Sequence, residues 1–297
     1  MQFTTTLIES SEQMKKVLTK IQLYWPLIKS LQTGLLVATG MAGYMTVRCP
    51  VFNLPTMVGL FISLVTSISG STILNMWWDR DIDAKMRRTQ QRPLPSNKIS
   101  PREALVVGLV LSFVGMGLAT TIDALFGLII FAGLFFDVVI YTIWLKRRTC
   151  WSIVWGGISG AIPILAGRAL GLGSIDWIGI VLALGILLWI PTHILTFSMR
   201  YFADYKAACV PTFASVYGFT FTRATIAISS VLASLAMVGA AWGIGMTWGF
   251  LRLLGVLSIG LLLLAFTMIF RPSEKVNFGL FKYASLYMLS SMMLMVL

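Results

Sequence analysis

Residues 55–96 read PTMVGLFISLVTSISGSTILNMWWDRDIDAKMRRTQQRPLPS, and this stretch decides the fold class. Its first part, 55–76, is uncharged and mostly apolar, and charged residues begin only at Asp79. A helix needs about 20 apolar residues to cross the hydrocarbon core of a bilayer. The stretch therefore predicts a transmembrane helix that ends where charged side chains reach the lipid headgroups.

The composition extends this interpretation to the whole chain. Of its 297 residues, 57% are hydrophobic and only 11% are charged, with a mean hydropathy of +0.85. Soluble domains carry about 25% charged residues, so a water-soluble globule and a disordered chain are excluded. The apolar runs last about 20 residues, whereas membrane β-strands span about ten. We expect an all-α integral membrane protein.

Nine apolar stretches reach the length of about 18 residues that a membrane span requires. The sequence therefore predicts a bundle of nine transmembrane helices around one central cavity, formed by residues 25–297. Residues 1–24 mix Glu and Lys with Leu, Ile and Val, which is typical of an amphipathic segment at the cytoplasmic surface. The predicted spans are 26–47, 55–76, 103–122, 124–145, 151–170, 176–199, 224–243, 250–270 and 278–297.

The basic residues are distributed unevenly between the two sides of these spans. Of the 23 Lys and Arg residues, 20 fall in the N-terminal segment and in every second loop, and only Arg48, Arg168 and Arg252 fall elsewhere. Basic residues are enriched in cytoplasmic loops. We therefore expect a multi-pass cell-membrane protein with a cytoplasmic N-terminus and an external C-terminus. The net charge of +12 fits anionic lipid headgroups or an anionic substrate, and no motif points to nucleic acid.

Asn75, Asp79 and Asp83 are spaced four residues apart at the end of the second predicted span. A continuing helix would place these three side chains in a column on one face, with Asp81 on another. Two carboxylates and an amide oxygen suit Mg²⁺, which prefers oxygen ligands and often binds substrate phosphates as well. The alternative is an ordinary helix end whose charges reach the headgroups.

The charges around this column give two further expectations. Carboxylates so close together repel each other unless cations lie between them, so loss of the Asp79 charge should slightly stabilise the ligand-free protein. The residues that follow carry donors that fit diphosphate oxygens. These basic residues are Lys85, Arg87, Arg88 and Arg92.

A second polar segment follows the sixth predicted span, on the same side of the membrane. It holds His193, the only histidine of the chain, and Asp204. Their separation is about three helical turns, so the two side chains share a face and His193 lies deeper. Tyr205 and Lys206 follow directly. The alternatives are a packed histidine satisfied by a neighbouring helix and a simple loop ion pair between Asp204 and Lys206.

The sequence around these residues resembles the UbiA superfamily of intramembrane prenyltransferases. NMWWDRDIDAKMRRTQQRPLPSNKISPREAL (75–105) is similar to the superfamily's first signature, in which NxxxDxxxD precedes an RTxxRPLP run. Within the superfamily, the pattern is most similar to the protoheme IX farnesyltransferases. The resemblance covers about residues 24 to 217 and continues through YTIWLKRRT (141–149), GGISGAIPILAG (156–167), the Trp189 to His193 spacing and DYKAACVP (204–211).

This resemblance implies an enzyme that transfers a polyprenyl group from its diphosphate to a hydrophobic acceptor and releases pyrophosphate. The donor would be farnesyl or geranylgeranyl diphosphate, and the active site would face the cytoplasm. By the same resemblance, His193 serves the acceptor or acts as an acid–base group. Mg²⁺ would be held by Asn75, Asp79, Asp83 and Asp204. The diphosphate or the prenyl cation would contact Lys29, Arg88, Arg92, Tyr141, Lys146, Tyr205 and Lys206.

The chain departs from the protoheme IX farnesyltransferase pattern in the region expected to contact the acceptor. Ile164 replaces the second proline of a GAxPP stretch, and Arg168 replaces an aromatic residue shortly after it. Arg200 stands where many superfamily members carry an aspartate four residues before Asp204. We expect intact diphosphate chemistry and a different acceptor pocket. Room for a large ligand would be left by Gly156, Gly157, Gly160 and Gly167.

Three other functions are compatible with the sequence. A UbiA-type enzyme acting on a quinone precursor or a lipid would share every feature above except the acceptor. A secondary transporter would explain ionisable residues inside the membrane, such as Asp137, Arg168 and His193. However, an odd number of spans does not divide into two equal inverted repeats. An inert assembly factor has no specific feature in its favour.

Overall fold

The computed structural model describes residue 20 and residues 22–48 and 53–297, and the fold concerns these residues alone. Most of the amphipathic segment predicted at 1–24 lies outside them. The described chain consists of helices and loops without a strand, and a π-helical segment, Phe135–Leu145, continues α5. The α-helices are α1 (Ser30–Arg48), α2 (Leu54–Trp78), α3 (Arg80–Lys85), α4 (Pro101–Ile122), α5 (Ala124–Leu134), α6 (Ser152–Leu172), α7 (Trp177–Arg200), α8 (Phe202–Ala207), α9 (Phe213–Val216), α10 (Gly218–Ile244), α11 (Trp248–Phe270) and α12 (Glu274–Val296).

Eight helices of the described chain are long and apolar enough to cross a membrane. They are α2, α4, α5 with its π-helical continuation, α6, α7, α10, α11 and α12, and they match predicted spans two to nine. The all-α membrane fold is therefore confirmed. Helix α1 coincides with the first predicted span and has 19 residues, but it is less apolar than the other eight. The count of nine stays a prediction.

Polar side chains mark where several of these helices begin. Asn53, Ser100, Asp123 and Asp176 each accept a hydrogen bond from the backbone N–H three residues further on. Such caps satisfy N–H groups that a helix leaves unpaired in its first turn. The polar residues between the apolar runs therefore determine the helix boundaries.

Contacts between the loops show which helix ends lie together. Lys146, after the π-helical segment, pairs with Asp79 after α2, and Arg88 lies over an aromatic ring near the end of α7. At the opposite end of the bundle, Arg48 donates to the Gly171 carbonyl at 2.8 Å. These contacts place the ends of α2, the π-helical segment and α7 at one end of the bundle and the ends of α1 and α6 at the other, as predicted. We name the end of the bundle that carries Asp79 the aspartate end.

The core contains two main apolar clusters joined by α6. One cluster, around Met237 and Tyr287, lies between α6, α7, α10, α11 and α12. The other, around Phe126, lies between α1, α2, α5 and α6. Ile164 belongs to the first cluster and Ala166 to the second. Helices in lipid associate through close packing, so α6 connects the two halves of the bundle.

Neighbouring helices, and not an open space for a ligand, lie against the glycines of α6. A Cβ atom on Gly167 would lie 1.9 Å from the Gly40 carbonyl oxygen of α1. One on Gly156 would lie 2.7 Å from an aromatic ring of the π-helical segment, and side chains of α7 occupy the space beside Gly157 and Gly160. The expectation that these glycines leave room for a large ligand is therefore wrong, because they allow close helix packing.

Candidate active site

The predicted column of Asn75, Asp79 and Asp83 is present, although the helix breaks at its centre. Asp79 ends α2 and precedes α3, with φ −89° and ψ 7°. The backbone pattern nevertheless continues, because Asp79 N–H donates to the Asn75 carbonyl at 2.9 Å and Asp83 N–H donates to the Asp79 carbonyl at 2.8 Å. All three residues are at most 7% exposed. The spacing of four residues thus places them in successive turns.

Asp79 has a close cationic partner on only one of its two oxygens. Lys146 Nζ donates to Oδ2, and Arg147 Nη2 lies 3.7 Å from Oδ1. Oδ1 is buried and has no hydrogen-bond partner among the described residues. An unpaired buried oxygen costs free energy. This atom therefore marks a place where a further cation fits.

Asp81 and Asp83 are paired with arginines. Arg92 Nη1 donates to Asp83 Oδ2 at 2.9 Å. Asp81 is exposed and accepts from both terminal nitrogens of Arg147, at 2.8 and 2.7 Å. These hydrogen bonds lower the pKa of Asp81, and partial burial opposes the shift. Cations of the protein itself therefore offset the carboxylate repulsion predicted from the sequence.

Asn75 is held by a network to which no sequence motif points. Its Nδ2 donates to Asp137 Oδ2 at 2.8 Å, and its Oδ1 accepts from Thr142 Oγ1 at 2.8 Å. Ser71 Oγ donates to the same oxygen of Asp137. The only signal in the sequence is a carboxylate inside an apolar span, at Asp137. Ser71 and Thr142 give no signal, because hydroxyl residues are common in membrane helices.

Four of the predicted diphosphate or prenyl partners lie together at the aspartate end. Lys29, just before α1, lies near the charged side chains of Lys146, Arg92 and Asp83. Lys146 Nζ lies 5.5 Å from the centre of the Tyr141 ring. Tyr205 lies near both Lys146 and Tyr141. Three different parts of the chain therefore bring these four side chains to the same end of the bundle, where Lys146 contacts Asp79.

The loop after α7 packs against the segment that follows α2. Arg88 lies over the Phe197 and Tyr201 rings, 4.9 and 5.3 Å from their centres. The same two segments form an apolar cluster in which Tyr205 packs against Ile82, Met86, Ala208 and Val210. Arg88 and Tyr205 thus hold the two polar segments of the sequence together.

Asp204 does not complete a three-carboxylate site with Asp79 and Asp83. Within the part of the chain that the structure describes, no group of three or more His, Cys, Asp and Glu side chains is placed to hold a metal ion. Asp204 is half-buried and Lys206 is exposed. Metal binding by Asp204 and diphosphate binding by Lys206 stay predictions.

His193 lies in an aromatic stack between α7 and α12. Its ring centre is 5.0 Å from that of Trp189 and 4.5 Å from that of Phe281, with interplanar angles of 20° and 25°. Ser285 Oγ lies 3.2 Å from Nδ1. These contacts match the packed histidine that the sequence allows as an alternative. A role toward the acceptor stays a prediction.

Arg168 has structural partners at the end of the bundle opposite Asp79. Its buried guanidinium donates to both oxygens of Asp176 at 2.8 Å and to Thr46 Oγ1 at 2.8 Å. The Arg168 hydrogen bonds lower the pKa of Asp176, whose side chain caps α7. These contacts join α1, α6 and α7, so an ion path is not needed to explain a buried arginine here.

Two cavities have linings that do not include the aspartates of the column. An apolar groove of about 180 Å³ lies between α2, α4 and the π-helical segment, and its lining includes Leu74, Phe113 and Val138. An open hollow of about 480 Å³ lies beside Lys29. The central cavity around these aspartates stays a prediction.

The side chains of the column suit a divalent cation that prefers oxygen ligands. Asn75, Asp79 and Asp83 offer oxygen atoms, which Mg²⁺ prefers. Oδ1 of Asp79 is buried without a hydrogen-bond partner among the described residues. Oδ1 of Asn75 accepts one hydrogen bond, and an amide oxygen has a second lone pair. The donor set therefore suits Mg²⁺ better than a thiolate-seeking metal.

Known proteins match the chain over most of its length. A sequence profile described as the UbiA prenyltransferase family matches residues 36–286. This chain belongs to the UbiA prenyltransferase family. A protoheme IX farnesyltransferase of Korarchaeum cryptofilum is 44% identical over 206 residues, which are 69% of each chain. One from Cereibacter sphaeroides is 37% identical over 279 residues, covering 89% of this chain and 88% of the relative.

Solved structures of UbiA proteins share the fold. A digeranylgeranylglyceryl phosphate synthase structure superimposes with a TM-score of 0.78 at 18% identity, covering 94% of this chain and 98% of that one. A UbiA homolog from Archaeoglobus fulgidus bound to GPP and Mg²⁺ gives 0.69 at 14% identity, covering 93% and 100%. The family membership and the aspartate column together identify an intramembrane prenyltransferase, and neither the transporter nor the inert-factor alternative is supported.

Proposed function

We propose that this UbiA-family enzyme transfers a farnesyl group from farnesyl diphosphate to protoheme IX, with Mg²⁺ bound and pyrophosphate released. Relatives at 37–44% identity are named protoheme IX farnesyltransferases, which supports this donor and acceptor. The A. fulgidus homolog bound to GPP and Mg²⁺ supports a prenyl diphosphate and this metal. The observation that carries the chemistry is the buried column, in which a protein cation accompanies each of the two carboxylates.

The aspartate column would hold the metal, and the basic residues would hold the diphosphate. Asn75, Asp79 and Asp83 would bind Mg²⁺, which would supply positive charge to the departing diphosphate. Lys146 and Arg92 pair with these aspartates in the ligand-free protein. With Mg²⁺ bound to the carboxylates, Lys146 and Arg92 would become available to the diphosphate oxygens. Arginine and lysine form strong charge-assisted hydrogen bonds with such oxygens.

The transfer breaks the bond between carbon 1 of the farnesyl chain and the diphosphate oxygen, and the electron pair leaves with pyrophosphate. Lys29, Arg92 and Lys146 stabilise the negative charge that develops on this leaving group. Tyr141 and Tyr205 lie beside Lys146, where their ring faces stabilise the allylic cation and keep water away from it. The electron pair of an acceptor double bond then forms the new carbon–carbon bond, and the cation left on the acceptor is neutralised by loss of a proton or by addition of water with loss of its proton.

The acceptor and the membrane orientation belong to the same proposal. The uneven distribution of Lys and Arg supports a cytoplasmic aspartate end, a cytoplasmic N-terminus and an external C-terminus. Asp204 would add a second contact to the metal and Lys206 one to the diphosphate. His193 would face the acceptor. A quinone precursor or a lipid as acceptor is the alternative, and it uses the same diphosphate chemistry.

A competition assay tests the acceptor directly. The purified protein is incubated with Mg²⁺ and labelled farnesyl or geranylgeranyl diphosphate, together with protoheme IX, a quinone precursor or a membrane lipid. We expect the label from farnesyl diphosphate to appear on protoheme IX, as measured by mass spectrometry. Transfer to the quinone precursor or the lipid alone would support the alternative. Preferred use of geranylgeranyl diphosphate would contradict the proposed chain length.

A further inference from the structure

Asp137 is a carboxylate inside a membrane-spanning segment, where an ionisable residue is costly and usually functional. It lies in the π-helical segment Phe135–Leu145, and such turns often occur at functional sites. Ser71 Oγ and Asn75 Nδ2 both donate to its Oδ2, the second at 2.8 Å. Ser159 Oγ lies 3.4 Å from its Oδ1. These three side chains are neutral residues of α2 and α6, and one of them, Asn75, belongs to the aspartate column.

The contacts of Asp137 determine how the Asn75 amide is oriented. A carboxylate accepts hydrogen bonds, so the NH₂ group of Asn75 must turn toward Asp137. Thr142 Oγ1 donates to the other end of the amide, at Oδ1. A flipped amide would place Oδ1 against the Asp137 carboxylate and lose the hydrogen bond from Nδ2 to Asp137. The remaining lone pair of Oδ1 therefore has a defined direction.

The π-helical winding allows one segment to contact both ends of this amide. Thr142 follows Asp137 by five residues, and residues five apart in an α-helix differ by about 140° around the axis. In a π-helix, hydrogen bonds join residues five apart, so such residues lie on the same side, one turn apart. The same pairing occurs at the end of the segment, where Lys146 N–H donates to the Tyr141 carbonyl at 2.8 Å.

We propose that Asp137 is a positioning residue for the metal site, which holds the amide oxygen of Asn75 toward the divalent cation. The proposal rests on the proposed function, since it requires Asn75 to be a metal ligand. Residues that orient metal ligands are worth about 10–100-fold in metal affinity or activity. Asp137 and Thr142 together perform this role from one helix, and Ser71 supports the carboxylate from the same helix as Asn75.

Metal binding by Asp137→Asn tests the proposal without relying on turnover. The purified full-length protein is titrated with Mn²⁺ in the presence of inorganic pyrophosphate, and the EPR signal of free Mn²⁺ reports binding. We expect affinity to fall by about 10–100-fold, with a parallel rise in the Mg²⁺ concentration needed for half-maximal pyrophosphate release. A purely structural role would lower the melting temperature and leave the affinity of the folded molecules unchanged. Ser71→Ala gives a milder change in the same direction if Asp137→Asn does not fold.

A reciprocal exchange separates positioning from other effects. In the double variant Asn75→Asp/Asp137→Asn, the amide at position 137 donates to the carboxylate at position 75, and the net charge is kept. We expect it to recover about tenfold in Mn²⁺ affinity relative to Asp137→Asn. Asn75→Asp alone sets two carboxylates against each other and should bind more weakly than the double variant. Ser159→Ala removes only the 3.4 Å contact and should resemble wild type.

Three results would overturn the positioning role. They are wild-type Mn²⁺ affinity in Asp137→Asn, a double variant that binds no better than Asp137→Asn, and Asn75→Asp alone binding as tightly as the double variant. Absence of Mn²⁺ binding and of Mg²⁺-dependent pyrophosphate release in the wild type would instead contradict the proposed function.

Discussion

Lys146 donates to one carboxylate oxygen of Asp79, while the other oxygen of Asp79 is buried without a hydrogen-bond partner among the described residues. The two residues are 67 positions apart in the chain. Their ion pair joins the end of α2 to the end of the π-helical segment and places a cation beside the proposed metal site. Substitution of either residue therefore tests both the stability of the fold and the chemistry of the site.

Asp79→Asn and Lys146→Met should each lower the melting temperature of the ligand-free protein. Asp79→Asn leaves Lys146 without its partner, and Lys146→Met leaves Asp79 with only the more distant Arg147 among the described residues, so each change should cost about 1–3 kcal/mol. The sequence alone predicts a slight stabilisation through relieved repulsion, and the ion pair with Lys146 reverses this sign. The double variant should lose less stability than the two single losses together. Additive losses in thermal melts would show that the two charges are not coupled.

Arg92→Ala should weaken use of farnesyl diphosphate. Arg92 pairs with Asp83 at 2.9 Å and is expected to donate to the diphosphate when the metal is bound. A hydrogen bond between charged groups contributes about 1.5–3 kcal/mol, so kcat/KM for the donor should fall by about 10–100-fold. Steady-state kinetics at saturating Mg²⁺ provide the measurement. Arg102→Ala, at an exposed position in the first turn of α4, is the control. Equal effects of the two changes on kcat/KM would contradict a role of Arg92 in binding the diphosphate.

His193→Phe separates packing from a role toward the acceptor. Phenylalanine can keep the stack between Trp189 and Phe281 but loses the nitrogen that faces Ser285. We expect the variant to bind farnesyl diphosphate normally and to transfer the group to the acceptor more slowly, by about tenfold or more. Donor binding and transfer rate are measured separately. Normal transfer in a stable His193→Phe variant would show that His193 is only a packing residue.

Reporter fusions test the membrane orientation. A reporter fused after Leu297 should lie outside the cytoplasm, and one inserted at Asn97, an exposed turn residue with φ 57°, should lie inside. The reason is that 20 of the 23 Lys and Arg residues fall in the N-terminal segment and in every second predicted loop, which is the side expected to be cytoplasmic. Activity of each reporter shows its side. A cytoplasmic C-terminus would contradict the orientation and the count of nine spans.

Features set by local sequence were predictable. The length of the apolar runs predicted the membrane helices. The spacing of Asn75, Asp79 and Asp83 predicted the column. The column persists although the helix breaks at Asp79, because the backbone hydrogen bonds continue through the break. The alternation of the helix ends followed from the positions of Lys and Arg. These properties depend on residues that are close in the chain.

Features that depend on contacts between distant helices were not predictable. The pairing of Asp79 with Lys146 joins two helix ends, and the hydrogen bonds of Asp137 depend on a π-helical segment that no sequence pattern predicted. The glycines of α6 were misinterpreted because the sequence does not show whether a ligand or a neighbouring helix fills the space beside a glycine. The partners of Arg168 likewise lie in other helices.

Mg²⁺-dependent pyrophosphate release by wild type, Asp79→Asn and Arg80→Ala tests the central claim most directly. The reaction contains farnesyl diphosphate and protoheme IX, and mass spectrometry measures the molecular mass of the protoheme product. Asp79→Asn keeps an oxygen but removes the charge of a proposed metal ligand, and should lower the rate by about 100-fold or more. Arg80 is exposed and hydrogen-bonds to the Trp77 carbonyl at 2.7 Å, so Arg80→Ala should stay near the wild-type rate. A wild-type rate in Asp79→Asn would contradict the assignment of the active site to the aspartate column.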